Sequence, residues 1–404
     1  MEKLLIINIG ELISCAGENE FELINDAYIK IENEKIKEIG ESRDLKSRKD
    51  YKVFDARTKT VMPGFIDPHT HFVFGGYRAE EFNWRLSGMS YAEIMKRGGG
   101  IANTVQSTRN ASFEELYKNA KKRLDKMLEQ GITTVEGKTG YGLDKENELK
   151  QLRVMKELDK NHPVDIIKTF LGAHSVPTEF KGDHDAFILY LIDEVMPAII
   201  EEGGAEFCDV FCDEGVFTVD EARKILLAAQ DMGLKSKIHA DEIAPLGAAE
   251  LAAEINAVSA DHLLKISDRG IEEIHDKGVT PVLLPITAYS LKEEYAPARK
   301  LIDAGLDVAL ATDLNPGSAY SGSIPFLLTL STLYMGLTTE EAILALTRYA
   351  ARAIDREDEI GSIETGKYAD IIILDIPSYK HLSYHIAMNN VELVIKKGEI
   401  VYKK

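Results

Sequence analysis

Two imidazoles stand two residues apart in the run Phe65-Ile66-Asp67-Pro68-His69-Thr70-His71. In extended backbone successive side chains alternate faces, so His69 and His71 project to one side. Paired neutral imidazoles at a strand end make half a metal site, and their nitrogen suits zinc, iron or nickel. More reactive side chains follow apolar runs downstream. His174 comes after Gly172-Ala173, His239 precedes Ala240-Asp241-Glu242, His262 follows Asp261, and Asp313 opens Leu314-Asn315-Pro316-Gly317-Ser318.

Something must bring these distant residues together. Between residues 62 and 356, apolar strand candidates alternate with amphipathic helical stretches such as Phe113–Gln130, Glu146–Asp159 and Val219–Met232. The strand candidates are Gly64–His71, Ile132–Glu136, Asp165–Leu171, Glu206–Cys212, Lys235–His239, Ala257–Asp261, Thr280–Leu284 and Asp307–Ala311. Several are apolar throughout, as parallel strands buried on both faces are. The pattern predicts an α/β fold, a (β/α)8 TIM-like barrel. A doubly wound sheet is the rival, but Gly98-Gly99-Gly100 follows no strand and lacks a nucleotide-binding spacing, so it reads as a flexible loop. The ends differ in style. Short β segments at Leu4–Ile7, Ala27–Ile31, Lys35–Ile39 and Tyr51–Asp55, with others after residue 370, predict a small β-sandwich domain composed of residues 1–61 and 357–404.

A barrel gathers its C-terminal strand ends at one rim, where catalytic residues sit. Each candidate has a plainer explanation: a lone His as a structural hydrogen-bonder, Asp313 as a turn starter, Glu242 as a first-turn acid. Together those explanations would need one placement to arise five separate ways.

The totals narrow the classes. A net charge of −19 over 404 residues argues against nucleic acid or an anionic membrane as partner, yet leaves room for a small anionic substrate. No apolar run approaches the ~20 residues of a spanning helix. Cys15, Cys208 and Cys212 are too few for a disulfide framework and read as buried thiols rather than a metal pair, which suggests the cytoplasm. A homodimer is the expected assembly, as the commonest for soluble enzymes.

These residues resemble the amidohydrolase superfamily, whose barrels carry H-x-H after the first strand, a His after the fifth and sixth, and an Asp after the eighth. Gly361–Asp370 is similar to that family's return segment into the terminal β domain. The resemblance implies that His69, His71, His239 and Asp313 ligate one metal, Zn2+ or Fe3+. Relatives with two metals carry a bridging lysine on the fourth strand, and Phe207–Cys212 offers none. Six motifs in order, among them Gly75-Gly76-Tyr77-Arg78, Gly137-Lys138-Thr139-Gly140-Tyr141-Gly142 and His239-Ala240-Asp241-Glu242, look like the imidazolonepropionase branch.

That branch opens the cyclic amide of 4-imidazolone-5-propanoate to N-formimidoyl-L-glutamate in histidine degradation. By resemblance, a water activated at the cation attacks the ring carbonyl and Asp313 takes its proton. His262 would hydrogen-bond the carbonyl oxygen, a contribution of roughly 3–4 kcal/mol for one placed donor. Glu242 would bond the ring N–H and return a proton to the leaving nitrogen. The propionate calls for Arg78, whose planar fork matches a carboxylate, against the alternative of a salt bridge to Glu80 or Glu81. Tyr141 and His174 complete the ring and tail contacts, with Asn315, Gly317 and Ser318 at the opened product. Lys138 receives no role, and His162, His184, His275, His381 and His385 read as structural. A heterocycle deaminase of the same superfamily and a catalytically inactive scaffold barrel are the competing functions.

Overall fold

The computed structural model describes residues 3–17, 20–89, 93 and 97–404. The chain begins with β1 (Leu4–Ile13), β2 (Leu23–Glu32), β3 (Lys35–Glu41), β4 (Lys52–Asp55) and β5 (Thr60–Pro63). Its middle carries β6 (Phe65–Thr70), β7 (Ile132–Lys138), β8 (Asp165–Ala173), β9 (Ala205–Cys212), β10 (Lys235–Ala240), β11 (Ser259–His262), β12 (Thr280–Leu283) and β13 (Ala309–Leu310). It ends with β14 (Ile371–Leu374), β15 (Val391–Lys396) and β16 (Glu399–Lys403).

The two β-rich ends join in one sheet of order β16-β15-β14-β5-β1-β2-β3, with β4 also pairing β1. Residues Leu4, Ile6 and Ile9 of β1 enter its core with Ile371, Ile373, Leu393 and Ile395 from the far end of the chain. The alternation slips between Ile6 and Ile9, where a register shift and Asn8 at φ 53° mark a bulge. β14 is wedged in antiparallel beside β5, with Ile371 opposite Pro63. Pro63-Gly64 is a hand-over between the two sheets. Gly64 donates its N–H to Asp370 O at 2.9 Å, Phe65 donates to Gly131 O at 2.9 Å, and the chain passes straight from one sheet to the other.

The middle strands form a parallel sheet of order β13-β12-β11-β10-β9-β8-β7-β6, each within a few residues of its predicted range. Alternation sorts their side chains. Cys208, Val210 and Cys212 of β9 and Ile238 and Ala240 of β10 pack outward against Leu226, Ile225 and Ala249 of the surrounding helices. The helix Phe113–Glu129 buries Leu116, Ala120, Leu124 and Met127, spaced three or four apart. Ser112 caps it by accepting from the Glu115 N–H, and Thr218 with Glu221 forms a capping box at Val219–Asp231. All three cysteines are buried free thiols. Among the described residues, no helix is long and apolar enough to cross a membrane.

Closure falls to the segment after the two-residue strand β13. Asp313 N–H reaches His69 O at 3.1 Å and His71 N–H reaches Leu314 O at 3.0 Å. Asp67 fastens the seam, accepting from Thr312 N–H at 3.0 Å and Thr312 Oγ1 at 2.6 Å. Closure therefore aligns the first and last strand ends. Asp67→Ala leaves a buried N–H and hydroxyl without an acceptor and should cost about 2–3 kcal/mol in urea unfolding; an unchanged midpoint would show that the seam does not depend on it.

Candidate active site

The rim brings together His69 and His71 at the end of β6, His174 just after β8, His239 in β10, His262 at the end of β11 and Asp313 beyond β13. All are buried. Ring centroids lie 4.5 Å apart for His69 and His239, 5.1 Å for His239 and His262, and 4.9 Å for the stacked His71 and His174. His262 at φ 79°, Asp313 at φ 51° and Asp241 at φ 48° adopt left-handed backbone that L-residues avoid, a strain that clusters where strands end at working sites.

A charged layer beneath the rim orients the imidazoles, and the sequence reading assigned it no role. His69 Nδ1 donates to Asp261 Oδ2 at 2.6 Å, and His239 Nδ1 lies 3.0 Å from Asp209 Oδ2. Lys138 Nζ sits 2.8 Å from Asp209 Oδ2, 2.8 Å from Glu136 Oε1 and 3.6 Å from Asp261 Oδ2. Lys237 Nζ reaches Glu136 Oε2 at 2.6 Å and Pro68 O at 3.1 Å. Thr169 Oγ1 also bonds Glu136, and Ser259 Oγ donates to Asp261 Oδ1 at 2.6 Å. Burial alone would raise the Asp209 carboxyl, but its His239 and Lys138 partners hold it well below the usual carboxylate range. A signal was present: ionisable residues inside otherwise apolar strands must find partners.

The upper layer lacks such partners. Burial, then the positive Lys138 and neighbouring imidazoles, hold the His69 pKa well below its ordinary value, so the ring is neutral. Its Nδ1 carries the proton toward Asp261, which leaves the buried Nε2 as a bare lone pair without a hydrogen-bond partner. That lone pair faces Asp313 Oδ1 at 3.7 Å, and His71 Nε2 faces the same oxygen at 3.5 Å. Thr287 Oγ1 donates to the other oxygen, Asp313 Oδ2, at 2.5 Å. Acceptors converging without a proton repel unless a cation lies between them. Donors at ~2.1 Å from a tetrahedral cation would be roughly 3.4 Å apart. The residues fit a metal ion. The ligating atoms of His69, His71 and Asp313 fall within 4.8 Å of one another. Two further groups of the same span share His239, one with His69 and His262, the other with His71 and His174.

A cavity of about 500 Å³ opens above, reaching His71, His174, His239, Glu242, His262 and Asp313 on one side. Arg78, Tyr141, Asn315, Gly317 and Ser318 line the rest, with Phe82, Ile101 and Phe211 adding an apolar wall. The depression of about 610 Å³ beside Arg123 and Tyr320 is larger but contains none of the rim histidines. Arg78 is paired with Glu81, as the plainer reading anticipated, but only through Nε, at 2.9 Å to Oε2. Glu81 also accepts from Gly100 N–H at 2.9 Å and Asn103 Nδ2 at 2.9 Å, so it anchors the expected flexible glycine loop and aims the guanidinium. A Cβ at Gly317 would stand 2.3 Å from Arg78 Nη1, so a side chain there would push the fork out of its present place.

Glu148 builds the opposite wall. Its carboxylate accepts from Gly140, Gly142 and Leu143 N–H groups and so folds the turn carrying Tyr141. Gly140 at φ 104° would bring a Cβ within 2.9 Å of His174 Nδ1, which instead lies 3.0 Å from Gly140 O. Asn315 lines the cavity and is also held within its own loop. Its Nδ2 goes to Asp313 O at 2.8 Å and Ser318 Oγ at 2.9 Å, and its Oδ1 accepts the Gly317 and Ser318 N–H groups at 2.8 Å each. Asn and Asp hold tight loops in this way, so Asn315 and the Gly317 backbone are engaged with each other. Burial, then the charge of Asp313, pushes Glu242 up to about 8, and burial pushes Asp313 up to about 6. His162, His184 and His275 pair with Asp125, Glu221 and Asp276, and His381 and His385 lie on or beside a short helix near the C-terminus.

The model of the Amidohydrolase family matches residues 60–401. An imidazolonepropionase of Clostridium tetani is 54% identical over 99% of this chain and 98% of its own length. One of Parabacteroides distasonis is 50% identical over 98% of each chain. A solved triazine hydrolase variant shares the fold at TM-score 0.80 and 18% identity, covering 99% of this chain and 95% of that one. The chain belongs to the amidohydrolase family and, within it, to the imidazolonepropionases.

Glu148→Ala would strand three buried N–H groups behind Tyr141. A loss of about 3 kcal/mol or more in urea unfolding is expected, and a loss below 1 kcal/mol would refute this account of the turn.

Proposed function

We propose that the cavity hydrolyses 4-imidazolone-5-propanoate to N-formimidoyl-L-glutamate. The observation that carries the reading is a single pocket with a cation-seeking cluster at its floor and the Arg78 fork at its side. The imidazolonepropionase relatives supply the substrate class.

His69, His71, His239 and Asp313 would hold one metal ion, Zn2+ or Fe3+ according to supply. When bound, such an ion acts as a Lewis acid and lowers the pKa of water from 15.7 toward ~7. Arg78 pairs with the propionate through the edge that Glu81 leaves free. Tyr141 and His174 flank the ring. Asp313 takes the proton of the attacking water as a bond forms to the ring carbonyl carbon. His262, kept neutral above all by burial, still has one N–H to donate to the carbonyl oxygen. The carbon–nitrogen bond of the ring then breaks, and Glu242, protonated up to about pH 8, gives the leaving nitrogen its proton. Ser318, tied to Asn315, would meet the new carboxylate. A heterocycle deaminase would lack a substrate group for Arg78.

The decisive assay follows loss of freshly generated imidazolone propionate by absorbance. Arg78→Ala should raise KM by about 10- to 100-fold with kcat nearly kept, the pattern of lost binding energy that ground and transition states share. Asp313→Ala should abolish turnover, and unchanged rates in both variants would refute the assignment. Gly317→Ala should reproduce the Arg78 effect, because its methyl displaces the fork; an unaltered KM would separate Arg78 from the substrate.

The pH profile has a definite sign. Asp313 must be ionised, so kcat rises through a limb at or below about 6, since a bound cation favours the carboxylate. Glu242 must hold its proton, so kcat falls as pH rises through a limb near or below 8. A flat profile between pH 5 and 9, roughly the span either side of those values, would rule out Glu242 as the acid.

A further inference from the structure

Lys138 lies wholly buried, has no contact with the cavity, and takes no part in the steps above. Yet its ammonium hydrogen-bonds one particular oxygen and stands beside another. Asp209 Oδ2, 2.8 Å from Nζ, is the atom 3.0 Å from His239 Nδ1. Asp261 Oδ2, 3.6 Å from Nζ, is the atom that accepts from His69 Nδ1 at 2.6 Å. The second oxygens are occupied elsewhere: Asp209 Oδ1 by the His239 N–H at 3.1 Å, Asp261 Oδ1 by Ser259 Oγ at 2.6 Å. Glu136 Oε1, at 2.8 Å, completes the surroundings of the ammonium.

The geometry points to Lys138 as a positioning residue that sets two metal-site histidines at once, one ammonium clamping both carboxylates that aim the His69 and His239 rings. Carboxylates beneath ligating histidines fix ring orientation, and their loss typically lowers metal affinity 10- to 100-fold. Here the two carboxylates belong to strands β9 and β11, and of the two buried ammonium groups that offset their like charges, Lys138 is the one that stands between them. The shared ammonium makes the two ring orientations interdependent. Lys237 provides a built-in comparison. It is equally buried in the same cluster and its charge also acts on Asp261, but its direct contacts are Glu136 and Pro68 O, and it touches neither Asp209 nor any other histidine-bonded oxygen.

The inference rests on the reading of His69 and His239 as ligands, and the test separates the two. Metal-free protein would be titrated with Zn2+ against a chromophoric chelator, and the Co2+-loaded protein examined by visible absorption. Lys138→Met should weaken Zn2+ binding about 10- to 100-fold and alter the Co2+ bands. Lys237→Met, which weakens the field at Asp261 but leaves Asp209 its ammonium, should lower urea stability and weaken Zn2+ binding by clearly less than Lys138→Met does. Should Lys138→Met not fold, the Lys138→Met/Glu136→Gln double variant keeps the net charge of the cluster and serves for the same titration. Wild-type protein that takes up no Zn2+ would overturn the ligand reading itself. Wild-type affinity in a folded Lys138 variant, or an equal loss in Lys237→Met, would overturn the role given to Lys138 alone.

Discussion

Acceptors that face one another inside a dry barrel mouth impose the governing constraint on this molecule. The His69 Nε2 lone pair and the Asp313 carboxylate converge with no proton between them. Such an arrangement is unfavourable for folding, since each group loses water and gains no partner. It persists because the surrounding protein over-determines it. Asp261 holds His69 from below, Thr287 holds Asp313 from behind, and the seam from Asp67 to Thr312 brings the first and last strands into register.

The same constraint explains where strain is tolerated. His262, Asp313 and Asp241 all take left-handed backbone at the rim, a conformation costing of order 1–3 kcal/mol each. The buried helices and apolar strand faces below supply the stability that keeps these turns in place. The rim itself contributes little to folding and directs its polar atoms inward instead. Division of labour between a stabilising floor and a reactive rim is general to this architecture.

Much of the arrangement was legible in the sequence. The barrel strands fell close to their predicted positions because a strand buried on both faces leaves a local apolar signature. The rim residues stood out because reactive types followed those strands repeatedly. The β5 strand was not legible: four residues ending in Pro63 carry no alternation, and only the return of β14 makes them a strand. The loop position of Asn315 is visible locally, while the hydrogen bonds by which it folds that loop are not. Arg78 was identified with two candidate partners, substrate and Glu81, and the structure shows Glu81 on the Nε edge of its guanidinium.

By itself the sequence determined the element order, the set of ionisable side chains at the strand ends and the excess of negative charge. Those properties reside in spacing and composition, which short-range periodicity expresses directly. Tertiary structure alone decided the pairings: Lys138 with Asp209 across 71 positions, His69 with Asp261 across 192, Thr312 with Asp67 across 245. Such contacts depend on barrel closure and on which way each strand's alternation turns inward. Charge neutralisation in a buried layer is a property of the assembled set of strands, and no single segment carries it.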